Sequence, residues 1–327
     1  MTVRAFYTAA KVKSSSPPYD TLHLKIVYPA QEISSSLDST GGMSPADCRT
    51  SPFQVVILFN GINCGPEGYQ WLAIRLAEHG LVVVTFSWIG QSGPGFTGLT
   101  PGLDISNLTP DHYGTAPTAT AMPALLEALE QLNARGVLAG LLDLDHVILG
   151  GHSAGGRAAL ENANTQFFPG VAAAFAYGAH TAAGPQLGYP PGQILALPDE
   201  GPLLLIGGTC DGVIANSGHV YGVSWEHPTT PVIRTFQESI SGGRGDCYLL
   251  ILEGANHYSV VHPFDPTTAR SGLDFTATGP ESELRNLMAS AICLFLDRHV
   301  NRSGDSEGVS LATLTDRNPL VAVFERK

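Results

Sequence analysis

Ser153 stands in Gly151-His152-Ser153-Ala154-Gly155, a G-x-S-x-G pattern that follows the apolar run Val147-Ile148-Leu149 and precedes the helix-forming Gly156-Arg157-Ala158-Ala159-Leu160. Strand, tight turn and helix in that order lift a serine hydroxyl clear of the backbone, and the flanking glycines leave the turn room to close. A hydroxyl is a poor nucleophile until a base takes its proton, so such a serine needs a histidine and a carboxylate. Two later strand-like runs end in suitable residues. Leu203 to Ile206 leads into Gly207-Gly208-Thr209-Cys210-Asp211, and Tyr248 to Leu252 leads into Glu253-Gly254-Ala255-Asn256-His257. In this arrangement His257 would take the Ser153 proton and pass it to a leaving alcohol, while Asp211 would fix the imidazole tautomer and stabilise its charged form. The chemistry expected is acyl transfer through an acyl-enzyme, which calls for no cofactor.

The oxyanion formed during such a reaction needs two aimed backbone N–H groups. One is expected from Ala154, directly after the nucleophile. The other is expected from Ile62 in Asn60-Gly61-Ile62-Asn63-Cys64-Gly65, the loop after Val55 to Phe59, with Gly61 allowing the turn. His152 is expected to pack inside the elbow, and His262 stands too far along the chain to serve as the base. Gly93-Pro94-Gly95-Phe96-Thr97-Gly98 fits a dinucleotide fingerprint in letters alone, because no helix follows at once and Pro94 stiffens the loop. No His, Cys and carboxylate cluster has metal-ligand spacing, so no metal is expected.

These residues require elements to carry them. Val55-Val56-Ile57-Leu58-Phe59, Leu81 to Val84, Val147 to Leu149, Val171 to Phe175, Leu203 to Ile206 and Tyr248 to Leu252 are continuous apolar runs, as expected of parallel strands covered on both faces. Leu22-His23-Leu24-Lys25-Ile26 alternates, which predicts a half-buried strand near a sheet edge. Helical patterns cover Tyr69 to His79 and Pro117 to Arg135, a further helix is expected after Ser153, and a last one spans Pro280 to His299. The alternation predicts an α/β fold with a mostly parallel, doubly wound sheet of about eight strands flanked by helices.

The 327 residues are read as one domain with its core at about 50–300. Residues 31–52, rich in Ser and Gly, are expected to form an insertion loop, 90–115 a loop at the active site, and 301–327 a tail in which Leu320 to Phe324 docks. The 90–115 segment holds six Gly and three Pro among apolar side chains and leaves the carboxyl end of a central strand, where loops build binding sites. Phe96, Leu99 and Leu103 are its expected substrate contacts, together with Gly61.

Composition excludes other classes. The formal charge of −12 opposes binding to a phosphate backbone, so no nucleic-acid partner is expected. No apolar run approaches the roughly 18 residues of a membrane span, and the Ser- and Pro-rich start lacks the apolar stretch of a secretory signal. A cytoplasmic location is therefore expected, with contact at the face of a photosynthetic membrane left open. The five cysteines are odd in number and scattered, so free thiols are expected.

The Gly151-His152-Ser153-Ala154-Gly155-Gly156 box, with Val55 to Gly61 and Leu76-Ala77-Glu78-His79-Gly80-Leu81-Val82-Val83-Val84, resembles the α/β-hydrolase branch holding chlorophyllases and cutinase-like polyester hydrolases. The likeness covers about residues 50–300. It implies an α/β-hydrolase fold and a large apolar small-molecule ester as substrate, with chlorophyll cleaved to chlorophyllide and phytol as the leading case. Two positions depart from the chlorophyllase pattern. Asn60 replaces the usual His before Gly61, and Tyr177-Gly178-Ala179-His180-Thr181 carries no carboxylate where plant chlorophyllases place their acid. Asp211 instead matches the acid position of cutinase-like and dienelactone-hydrolase-like enzymes. A short-chain or polyester esterase and, more remotely, a non-catalytic binding protein on the same fold are the competing readings.

Overall fold

Apolar runs without polar interruption can be satisfied only where both faces of a strand are covered, and these runs fill the middle of one mixed sheet. The structure is a computed structural model, and it describes residues 1–32, 44–91, 97–300 and 310–327. In chain order the elements are β1 (Thr2–Lys11), β2 (Thr21–Ala30), β3 (Phe53–Phe59), α1 (Gln70–Glu78), β4 (Val82–Gln91), β5 (Thr97–Leu99), α2 (Met122–Ala134), β6 (Leu142–His152), α3 (Ala154–Glu161) and β7 (Val171–Tyr177). There follow β8 (Ala182–Ala183), β9 (Gln193–Ile194), β10 (Leu203–Gly208), α4 (Gly212–Asn216), α5 (Thr230–Ser239), β11 (Cys247–Leu252), α6 (Glu281–His299), α7 (Leu311–Thr315) and β12 (Val321–Arg326).

The sheet runs β1-β2-β4-β3-β6-β7-β10-β11-β12, with β5 paired to β4. From β4 to β11 all neighbours are parallel, while β1, β2 and β12 add antiparallel margins. Alternate side chains of each inner strand enter opposite cores. Val55, Ile57 and Phe59 pack with Leu125 and Leu129 of α2 and Phe236 of α5, and Val56 and Leu58 pack with Leu72 and Leu76 of α1 and Phe295 of α6. Each such side chain contributes roughly 1.5–3 kcal/mol by burial, and the two cores hold the carboxyl ends of β3, β6, β10 and β11 level.

Several expectations need correction. The sheet has ten strands rather than about eight, and it takes in chain on both sides of residues 50–300. Leu22 to Ile26 is near the sheet edge as expected, one strand in, because β1 pairs with β2 along its whole length. The described end of the 31–52 segment is only partly a surface loop: Pro45 and Cys48 to Thr50 are exposed, but Ser44, Ala46 and Asp47 are buried, Tyr28 donates to the Ser44 carbonyl at 2.6 Å, and Ala46 bridges to Ala30. The second helix begins at Met122 rather than Pro117 because the Thr118 and Ala119 N–H groups donate to Asn162 Oδ1. The Leu320 to Phe324 stretch docks as part of β12 beside β11. All five cysteines are free thiols. Among the described residues no helix is long and apolar enough to cross a membrane.

Candidate active site

Ser153 occupies the turn between β6 and α3 with φ 56° and ψ −126°, a left-handed conformation that a side-chain-bearing residue adopts at a cost. Its N–H donates to the Tyr177 carbonyl at 2.9 Å and its carbonyl accepts from Arg157 N–H at 2.9 Å, so neighbouring elements hold the strained turn. A Cβ at Gly151 would overlap the Gly155 backbone, and one at Gly155 would overlap the backbone of Phe59 and Asn60. Glycine at both positions is thus a packing requirement, which is the physical content of the G-x-S-x-G spacing.

Asp211 and His257 come together although 46 residues separate them, His257 Nδ1 donating to Asp211 Oδ2 at 2.8 Å. Both are almost completely buried, at 1% and 3% exposure. Burial disfavours the charged imidazole, but the Asp211 charge and hydrogen bond outweigh it, and the His257 pKa is raised above its ordinary value of 6.5. With Nδ1 committed to Asp211, Nε2 is the nitrogen left to act as a base. Asp211 also caps α4, its Oδ1 accepting from Ile214 N–H at 2.8 Å, so the turn reading and the triad reading of this residue hold together.

The expected Ser153 Oγ to His257 bond is not formed in this structure: Ser153 Oγ has no hydrogen-bond partner among the described residues. Such bonds are often long before substrate arrives and tighten in the complex. The neighbourhood is nonetheless shared, because the ring of His152, adjacent to Ser153, lies 4.6 Å from the ring of His257.

The two expected oxyanion donors sit at the start of α3 and in the β3–α1 loop. Ala154 opens α3, so its N–H has no intrahelical acceptor. In the β3–α1 loop, Gly61 N–H donates to Tyr69 Oη, Asn63 N–H to the Leu99 carbonyl and Cys64 N–H to the Gly61 carbonyl, while Ile62 N–H bonds to nothing among the described residues. Gly61 faces the elbow: a Cβ there would come 3.5 Å from Ser153 Cβ.

The expected substrate contacts divide. Leu99 is half-buried in β5, and Asn63 clamps it with a second bond, Leu99 N–H donating to Asn63 Oδ1 at 2.9 Å. Leu103 bridges to Ala119 and packs against the core on the α2 side of the sheet, so it serves the fold. Phe96 lies outside the described residues.

Three residues of this site went unnoticed in the sequence. Tyr69 Oη and His152 Nδ1 share a hydrogen bond of 2.8 Å, Asn63 ties the β3–α1 loop to β5, and Asp274 joins the loops after β10 and β11. Asp274 Oδ1 accepts from Gly212 N–H at 2.8 Å and from His257 N–H at 3.3 Å, fixing the backbone behind the acid and the base. Burial and the nearby Asp211 charge raise its pKa. Among the described residues, no group of three or more His, Cys, Asp or Glu side chains could hold a metal ion.

Neither a family model nor a curated protein matches the chain. Chemically, the arrangement offers the hydroxyl of a half-buried serine on a strained turn, an imidazole oriented by a carboxylate, and, among the described residues, two N–H groups without partners on the adjoining loops.

Proposed function

We propose that the chain is a serine carboxylic ester hydrolase of the α/β-hydrolase fold. The observation that carries this reading is the buried 2.8 Å pair of His257 and Asp211 next to a serine held at φ 56°. In the proposed reaction Ser153 Oγ attacks the ester carbonyl as His257 Nε2 takes its proton. The oxyanion is received by Ala154 and Ile62 N–H, and the alcohol leaves with the proton from His257. Water, deprotonated by the same nitrogen, then releases the acid from Ser153.

The substrate class rests on apolar surface and on resemblance. Ile62, Phe264, Leu273 and Phe275 are large apolar side chains between 41% and 50% exposed, on the loops that follow β3 and β11. Such a rim suits a bulky apolar ester. The resemblance of the Gly151 to Gly156 box to chlorophyllases makes the phytyl ester of chlorophyll the leading substrate, and docking at a membrane face would accompany it. A second reading is favoured by the position of Asp211 after β10, which matches cutinase-like and dienelactone-hydrolase-like enzymes and points to a short-chain or polyester ester.

The deciding experiment is hydrolysis of detergent-dispersed chlorophyll a and of a short-chain p-nitrophenyl ester by the wild type and by Ser153→Ala. Loss of the nucleophile should lower kcat by about 10⁴-fold or more. Chlorophyllide from the wild type alone would support the leading reading, and cleavage of the short ester alone would support the second. Activity that survives in Ser153→Ala would defeat both by pointing to a different catalytic group, and no hydrolysis by the wild type would favour a binding protein.

A further inference from the structure

The Gly61 N–H, the Tyr69 hydroxyl and the His152 ring form a chain of hydrogen bonds directly behind the oxyanion loop. Tyr69 Oη accepts from Gly61 N–H at 3.1 Å and lies 2.8 Å from His152 Nδ1. Either the hydroxyl or the ring Nδ1–H supplies the hydrogen of that second bond, and His152 Nε2 is buried with no hydrogen-bond partner in either case. Both rings are buried, Tyr69 at 4% and His152 at 1% exposure. Burial holds Tyr69 well above the ordinary phenol range and, helped by the neighbouring His257 charge, holds His152 well below 6.5. Both rings therefore stay neutral, and the bond between them intact, across the working pH range.

We infer that Tyr69 is a positioning residue for the oxyanion hole, anchoring Gly61 to the ring that precedes the nucleophile so that Ile62 N–H and Ala154 N–H keep a fixed separation. The inference rests on the esterase reading of Ser153. It follows from the order of bonds along the loop. Gly61, Asn63 and Cys64 all spend their N–H groups on partners, whereas Ile62, between two tethered neighbours, has an N–H with no partner among the described residues. His152 belongs to the same strand end as Ser153, so one hydroxyl spans the two halves that must meet around the oxyanion. Contact is already tight there, since a Cβ on Gly61 would come 3.1 Å from His152 Nδ1.

A donor that is aimed rather than merely present matters in the transition state and not in the ground state. Tyr69→Phe should therefore lower kcat about ten- to a hundred-fold, short of the 10²–10³ lost when such a donor is removed outright, with KM and the acid limb of the pH profile unmoved. A boronate transition-state analogue should lose affinity by the same factor. At the ring, His152→Asn keeps a polar partner for Tyr69 Oη and should lose less kcat than His152→Leu, provided both retain a cooperative thermal transition. Independently of turnover, ¹⁵N NMR of the wild type should show a neutral His152 that does not titrate between about pH 5 and about pH 9.

The inference is overturned by wild-type kcat in a folded Tyr69→Phe, by a loss confined to KM, by equal kcat in His152→Asn and His152→Leu, or by a titrating His152. A wild type without Ser153-dependent hydrolysis would remove the esterase reading and this inference with it. Activity that needs Ser153 yet ignores Tyr69 would remove the inference alone.

Discussion

On either side of Ser153 a buried histidine meets one partner at Nδ1, and the two partners drive the same ring in opposite directions. His257 donates to the Asp211 carboxylate, which lifts its pKa in spite of burial. His152 shares a hydrogen bond with the neutral Tyr69 hydroxyl, and burial followed by the His257 charge pushes its pKa down. Their rings are 4.6 Å apart, and two imidazolium charges at that separation would repel by about 4 kcal/mol at an effective dielectric constant of about 20. Only one ring can carry the charge. A carboxylate on one side and a neutral hydroxyl on the other decide which, so on the proposed reading the base side is built to change charge and the oxyanion side to keep its charge fixed.

The sharpest break of this contrast is Asp211→Asn. An asparagine still caps α4 through its side-chain oxygen, so the fold should survive. What changes is the group facing Nδ1, and with the wrong tautomer favoured kcat should fall by about 10⁴. Hydrolysis within tenfold of wild type would show that Asp211 does not orient the base. Attention would then pass to Asp274, which reaches His257 only through the main chain.

A smaller effect is expected from pH. His257 must be neutral to act, and its folded pKa lies above 6.5, so the acid limb of kcat/KM should lie above pH 6.5 and fall about tenfold per unit below it. An unshifted imidazole would place this limb lower. In the residual activity of Asp211→Asn, the Asp211 charge and hydrogen bond no longer offset burial, and the limb should move down. Stability carries the opposite sign. Because the folded value is raised, the pair stabilises fully below pH 6.5 and that contribution is lost as pH rises through the folded value. The stability gap between wild type and Asp211→Asn in urea should shrink from about pH 6 to about pH 9. A gap that widens would mean that the pair is not charged in the folded protein.

The base side was legible in the sequence because each of its residues follows an unbroken apolar run by a few positions. A buried parallel strand announces where its carboxyl end must be, and Asp211 and His257 stand just past two such ends. The elbow was legible for a local reason, the backbone overlaps that Gly151 and Gly155 avoid. The oxyanion side was legible only as far as its chain positions. Tyr69 meets His152 across 83 residues, and a tyrosine at the start of a helix carries no mark of which side chain its hydroxyl will find. Asp274 lies in an irregular segment between β11 and α6, where no periodicity points anywhere. β1 escaped for a related reason: its outer face is exposed, with Tyr7 76% accessible, so its alternation lacks the strong apolar half that marks a strand.

The mildest test separates two roles of Asn63 on the oxyanion side. Asn63 sits at φ 49°, and its side-chain oxygen holds Leu99 N–H while its own N–H donates to the Leu99 carbonyl at 2.9 Å. One side-chain bond of this kind is worth about 1 kcal/mol, or roughly a fivefold effect. Alanine would lose that bond and also strain the left-handed turn, whereas glycine loses the bond and keeps the turn without strain. If the clamp sets the wall offered by β5 to a bulky ester, Asn63→Gly should raise KM for that ester about fivefold with kcat unchanged. Asn63→Ala should in addition lower kcat, because a strained turn moves Ile62 N–H. Steady-state kinetics with one bulky and one short ester distinguish the outcomes. Equal KM changes for both esters would mean that β5 contacts neither acyl chain selectively. A kcat loss in Asn63→Gly as large as in Tyr69→Phe would mean that the loop is aimed from the β5 side as much as from behind, and the contrast between a fixed oxyanion side and a switching base side would then need two anchors in place of one.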